Sequence, residues 1–100
     1  MTFDALEQTV AQWHRDRGLI EGSTDEKQML KLFEEINELN FDVLNGADLR
    51  DELGDCLVVL VNIATRNNFS LYEALEYSFS KIKDRKGKLI NGIFVKEEDL

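Results

Sequence analysis

The chain has 100 residues, the length of a single domain, expected to span 1–100 without a linker. Twenty acidic against twelve basic side chains leave a net charge of −8, which disfavours a nucleic-acid backbone or an anionic membrane as partner and suits hard divalent cations. Hydrophobic residues make up 43% of the chain; so short a chain buries a limited share of its own surface, so a homo-oligomer is expected.

The first segment, Phe3 to about Arg17, sets Leu6, Val10 and Trp13 on one face at helical spacing, and Gly18 ends it. Gly22, Ser23 and Thr24 form a turn, and Ser23 with Glu26 has the spacing of a capping box. The helix that follows carries Met29, Leu32, Phe33, Ile36, Leu39 and Val43 on its apolar face and stops at Asn45-Gly46. Asp48 is the expected N-cap of a third helix running to about Arg66. Its second half, Cys56 to Ala64, is apolar nearly all round, the pattern of a helix buried from several sides. Ser70 and Glu73 repeat the capping-box spacing before a fourth helix that turns Leu71, Ala74, Leu75, Ser78 and Ile82 inward and ends near Gly87. The tail, Lys88 to Leu100, groups Ile90, Ile93, Phe94 and Val95 around Gly92 and is either a short hairpin or an extended arm. Four helices on short loops make the class all-α, a four-helix bundle core.

The lone cysteine, Cys56, cannot form an intramolecular disulfide and reads as a small core hydrophobe. The first residues are acidic and lack the pattern of a signal peptide. The longest apolar run, Cys56 to Val61, is far too short to cross a bilayer. The expectation is a soluble, cytoplasmic protein with no membrane or nucleic-acid partner.

Two carboxylate pairs, Glu35 with Glu38 and Glu52 with Asp55, are each spaced i, i+3, so each pair shares a helical face about one turn apart. Glu34 adjoins the first pair and reaches Glu38 at i, i+4. Antiparallel packing of the second and third helices brings these acids together, and such a cluster repels itself unless cations neutralise it. A histidine-free, all-oxygen donor set suits Mg²⁺ or Mn²⁺, ions that hold phosphates and activate water. The competing account is a solvated helix face with salt bridges such as Lys31 with Glu35. Gly54 weighs against it: glycine inside a helix costs about 1 kcal/mol relative to alanine, and a close helix approach is the expected reason for keeping it there.

The segments LFEEINEL and DELGDCLVVLVNIA resemble the EExxE…ExxD signature of the MazG-like, all-α nucleoside triphosphate pyrophosphohydrolases. QWHRDRGLI is similar to the family's first helix, NNFSLYEALEYSFSKIKDR to its fourth, and KGKLINGIFVKEE to the tail of some small members. The resemblance implies cleavage of a (d)NTP to (d)NMP and pyrophosphate, serving the housekeeping of nucleotide pools, by a homodimer or homotetramer. It implies Glu35, Glu38, Glu52 and Asp55 as metal ligands for one to three Mg²⁺ ions. Glu34 or Glu38 then acts as the catalytic group that orients or deprotonates the attacking water. Asn37 departs from the glycine that many members carry between the glutamates, which bears on the substrate pocket and leaves every acid in place.

Lys81 and Arg85 share a face at i, i+4 and match family positions that face the triphosphate; Lys31, one turn before Glu35, is the next phosphate contact. Cations at a helix C-terminus also favour the macrodipole without any ligand. Asn62, two turns after Asp55, either binds base or sugar or satisfies a buried backbone group. Trp13 is a candidate to stack on the base, though its stripe also fits a core position; His14, among polar neighbours, is expected to be exposed. Competing readings are a relative acting on dUTP, dCTP or phosphoribosyl-ATP, and a non-catalytic helical interaction module.

Overall fold

The computed structural model describes residues 1–100. Four helices follow one another, α1 (Phe3–Asp16), α2 (Asp25–Leu44), α3 (Arg50–Arg66) and α4 (Leu71–Ile82). A hairpin of β1 (Gly87–Ile90) and β2 (Ile93–Lys96) and a short 3₁₀ turn, Glu97–Asp99, complete the chain. The architecture is therefore helical, with one two-stranded antiparallel ribbon at its C-terminal end.

Helix starts are set by hydroxyl caps. Thr2 accepts from the Ala5 N–H (3.1 Å) to open α1, and Ser70 accepts from the Glu73 N–H (3.0 Å) to open α4. The cap of α2 lies one residue beyond the expected position. Thr24, not Ser23, accepts from the Lys27 N–H (3.2 Å), while the Ser23 hydroxyl accepts from Gln28 Nε2. Adjacent hydroxyls compete for the role, and Thr24, in the extended backbone conformation of a capping residue, takes it. Asp48 is not the N-cap of α3 either: Leu49 occupies that position, and Asp48 accepts from the Arg50 N–H (2.9 Å) and pairs with the Arg50 guanidinium.

α3 is the central element, packed on α2 along one side and on α1 along another, with α4 resting on α1 and α3. Between α2 and α3, Leu32, Cys56 and Val59 form the buried core, flanked by Leu39, Leu60 and Ile63. Only 11 of 100 residues are buried, so one chain by itself encloses a small core.

The buried face of α1 differs from the expected stripe. Leu6 and Trp13 are about half exposed, whereas Glu7, Ala11 and His14 are enclosed. Their i, i+4, i+7 spacing presents a small residue flanked by two polar ones. Ala11 permits close approach, and the polar groups find partners across the seam. The Glu7 carboxylate accepts from the first amides of α4, those of Leu71 and Tyr72 (3.0 Å for Tyr72). His14 Nε2 donates to the Val58 carbonyl (2.9 Å), so the expectation of an exposed histidine is wrong.

Two further expectations fail on packing. α4 buries none of its residues, and Leu75 and Ile82 face solvent. No neighbouring atom lies within 4 Å of a Cβ built on Gly54, so no close helix approach within the chain explains that glycine. The tail is a hairpin: Asn91 (φ 51°) and Gly92 (φ 82°) are both left-handed, as a two-residue turn between twisted strands requires. Leu89 pairs with Phe94 and Ile90 with Ile93.

Candidate functional site

Along the α2–α3 seam, the core of Leu32, Cys56 and Val59 gives way to carboxylates. The pattern that buries Leu32 also turns Glu35 inward, one turn further along α2, to face the first turns of α3. There Glu52 and Asp55 are half-buried, and one carboxylate oxygen from each of Glu35, Glu52 and Asp55 lies within 4.8 Å of the others. The set is oxygen-only, with no histidine or thiolate among its donors.

Two carboxylate oxygens of these residues, Glu35 Oε2 and Glu52 Oε2, are buried without any hydrogen-bond partner. A buried acceptor left unpaired is costly, and a charged one more so. The other Glu35 oxygen meets the Lys31 ammonium at 3.2 Å, and Lys31 also reaches Glu34 at 3.5 Å.

The electrostatics carry the signature of crowding. Burial, then the close approach of the Glu35 carboxylate and the charges of Glu38, Glu35 and Asp55, push the Glu52 carboxyl up to about 7. Asp55 is raised by burial and by repulsion from Asp51 and Glu35. Burial also opposes ionisation of Glu35, yet its contact with Lys31 and the Lys31 charge hold its carboxyl below the usual range. Lys31 is held in its charged form by its hydrogen bond to Glu35 and by the charges of Glu34 and Glu35. Crowding thus opposes ionisation of Glu52, whereas Lys31 favours that of Glu35. A divalent cation would relieve that crowding and fill the coordination of both orphaned oxygens, and carboxylate donors of this kind fit Mg²⁺.

The remaining sequence-derived residues are dispersed. Glu38 stays exposed outside the three-carboxylate cluster, although its charge still acts on Glu52. Three residues turn a helix roughly 60° short of a full circle, which carries Glu38 from the seam to its rim. Glu34 is exposed and paired only with Lys31.

Lys81 and Arg85 lie in solvent at and just beyond the end of α4, a helix that packs on α1 and α3; Lys81 sits over the Tyr77 ring at 5.1 Å. Trp13 is covered by the Arg17 guanidinium at 4.3 Å and meets His14 edge-on.

Asn62 corrects the expectation of a base or sugar contact. It is fully buried, and its Nδ2 donates to the Leu19 carbonyl (3.1 Å) and to His14 Nδ1 (3.2 Å), tying α3 to the end of α1. Of the two roles its position allowed, satisfying buried backbone is the one it performs. Glu7 and His14 escaped the sequence reading because polar residues on an amphipathic helix read as its wet face. The small Ala11 between them was the available sign of close packing.

Several cavities lie away from the acids. A polar one of about 300 Å³ is bounded by Glu7, Arg15, Asn68 and Glu73, and an apolar one of about 220 Å³ lies between α1 and α3. The carboxylates belong to an open seam, and their chemistry rather than concavity distinguishes them.

Comparison with known proteins identifies the family. A 65-residue stretch is 45% identical to an uncharacterised 18.2 kDa protein of the rep–hol intergenic region of Haemophilus phage HP1 (strain HP1c1). The match covers 63% of this chain and 40% of the phage protein, so the chain spans less than half of that relative's length. No solved structure matches significantly. Residues 23–90 match the MazG nucleotide pyrophosphohydrolase domain, a stretch holding α2, α3, α4 and all five acids considered above. With a match over more than half its length, the chain belongs to the MazG nucleotide pyrophosphohydrolase family.

Proposed function

We propose that the protein is a Mg²⁺-dependent pyrophosphohydrolase that cleaves a (d)NTP to the (d)NMP and pyrophosphate. The observation that carries this reading is the pair of buried, unpartnered oxygens on Glu35 and Glu52, facing a third carboxylate on Asp55. Those three residues, with Glu38 joining from the rim, would hold the metal. When bound, Mg²⁺ neutralises phosphate charge and raises the acidity of nearby water.

The chain's own groups supply the rest. Glu34 or Glu38, both exposed beside the cluster, orients the attacking water and accepts its proton, aimed in line at the α-phosphorus. Lys31 gives up part of its pairing with Glu34 and Glu35 to contact phosphate. Lys81 and Arg85 balance the charge of the departing pyrophosphate. Self-association into a dimer or tetramer, supported by the small enclosed core, brings exposed faces together. A cytoplasmic setting is part of the same proposal; no helix is long and apolar enough to cross a membrane.

Pyrophosphate release is measured over a panel of canonical and modified NTPs and dNTPs, including dUTP and dCTP, and phosphoribosyl-ATP, with Mg²⁺ and with EDTA. Release that requires the metal and yields the monophosphate is the expected result, and the preferred panel member names the substrate. Absence of release across the panel overturns the catalytic reading in favour of a helical binding module.

A further inference from the structure

Lys31 is the one cation paired with the acids of the α2–α3 seam. Its ammonium lies 3.2 Å from Glu35 Oε1 and 3.5 Å from Glu34 Oε2. Arg50, at the start of α3, is committed instead to Asp48. The i, i+3 and i, i+4 spacings put Lys31, Glu34 and Glu35 within reach of one another on α2. Their exposure differs sharply. The Glu35 side chain is 9% exposed, whereas those of Lys31 and Glu34 are 50% and 59% exposed. A long, half-exposed side chain thus reaches inward to a buried carboxylate, with solvent to swing back into.

The two oxygens of Glu35 have different surroundings. Oε1 meets the ammonium, and Oε2 is buried with no partner. Glu52 and Asp55, which complete the cluster, form no ion pair. One positive charge therefore serves three clustered acids, and it is held at the edge by a single carboxylate.

An ammonium has N–H donors and no acceptor. It cannot join a metal's coordination, and its charge repels any cation that shares Glu35 with it. A polyphosphate offers Lys31 several charged acceptors in exchange for one carboxylate. Moving Lys31 onto phosphate removes the competing charge from Glu35. Metal and phosphate then favour one another through the same side chain, and linkage makes the effect reciprocal.

We propose that Lys31 is an exchangeable counter-ion that couples the binding of metal and phosphate: it holds Glu35 against Mg²⁺ in the empty protein, and a triphosphate draws it away. The inference rests on the catalytic reading above and adds an order to it. The empty site takes up metal weakly, and metal and triphosphate are retained together.

The test is isothermal titration calorimetry on the full chain, comparing wild type, Lys31→Met and Lys31→Arg, with far-UV circular dichroism to confirm helix content. Mg²⁺ is titrated alone, and inorganic tripolyphosphate is titrated in saturating Mg²⁺. Lys31→Met is expected to bind Mg²⁺ alone about fivefold more tightly, the upper end of what one exposed ion pair is worth. It is expected to bind tripolyphosphate about fivefold or more weakly. Lys31→Arg keeps the charge and should return both constants toward wild type. An unchanged Mg²⁺ affinity in Lys31→Met overturns the proposal, because an ordinary helix ion pair would move neither constant. A weakened one also overturns it, and makes Lys31 a prop for Glu35. Unchanged tripolyphosphate binding overturns it as well, since phosphate would have no hold on Lys31. Absence of Mg²⁺ binding by wild type and variants alike overturns the metal reading itself, and so is distinct from failure of the coupling alone.

Discussion

α3 has two polar seams, and they are built on opposite terms. On the α1 side, the Glu7 carboxylate caps α4, His14 donates to Val58, and Asn62 donates to Leu19, leaving one neutral atom, Asn62 Oδ1, without a partner. On the α2 side, two carboxylate oxygens lie buried and bare beside a third acid, with a single lysine to offset them. Both seams bury polar groups between helices. The satisfied one holds the scaffold together, whereas the unsatisfied one has coordination to offer to something not part of the chain. Satisfaction, more than polarity or burial, separates the two.

Neutralising an acid on each side breaks the comparison most sharply. Asp55→Asn or Glu52→Gln is expected to lower pyrophosphate release by about 10² to 10³-fold, the range for losing one group that stabilises charge at a reacting centre. Without metal, thermal melting of the same variants should show unchanged or raised stability, because self-repulsion is relieved. Retained turnover in both variants would remove the α2 seam from the chemistry. Glu7→Ala belongs to the other seam, and denaturant titration should show a loss of about 2–3 kcal/mol, since two helix-end amides lose a charged acceptor. A loss confined to a few tenths would make the α1 seam as dispensable as a surface.

Magnesium sharpens the contrast next. At a hundredfold excess over its dissociation constant, an ion bound only by the folded chain adds about 2.7 kcal/mol. The melting temperature should therefore rise with Mg²⁺ in the wild type and in Glu7→Ala, and stay fixed in Asp55→Asn.

The smallest effect is one of pH. The folded chain keeps the Glu52 proton up to about 7, and Asp55 is raised in the same direction, while the unfolded chain releases both in the ordinary carboxylate range. The native state then binds more protons between the unfolded value and about pH 7. This contribution favours the fold at low pH and is lost as pH rises through that window. Melts in EDTA at pH 5 and pH 8 should show the metal-free protein less stable at pH 8 so far as Glu52 is concerned. Glu52→Gln should flatten the difference, and Mg²⁺ should offset it by displacing the proton.

Local rules made much of this legible beforehand. Hydroxyl caps, an Asn-Gly stop and apolar spacing locate the first three helices to within a residue or two, and Ser70 is the cap its spacing announces, but α4 ends at Ile82, well before the expected Gly87. The i, i+3 carboxylates also lead to the site, because two acids on one helix face need only a neighbouring helix to be brought together. Properties that depend on a partner's side chain were out of reach. Glu7 and His14 look like solvent residues until the amides of α4 and the Val58 carbonyl are placed against them. Glu38 drops to the rim by a rotation that motif spacing cannot resolve. The apolar stripes of α1 and α4 remain largely uncovered in one chain, so hydrophobic pattern alone overstated how much the monomer encloses.

Cys56 sits in the α2–α3 core beneath the acids, and burial together with the charges of Glu35, Glu52, Asp55 and Glu38 pushes its thiol above the usual range. Alkylating and oxidising reagents act on the thiolate, which this surrounding suppresses twice, by exclusion and by repulsion. The natural protein is therefore nearly silent toward maleimides in its folded form. A cysteine introduced at Leu44, exposed at the end of α2, would be the single fast-labelling site on the chain, and the slow reaction of Cys56 would serve as an internal clock for opening of the core.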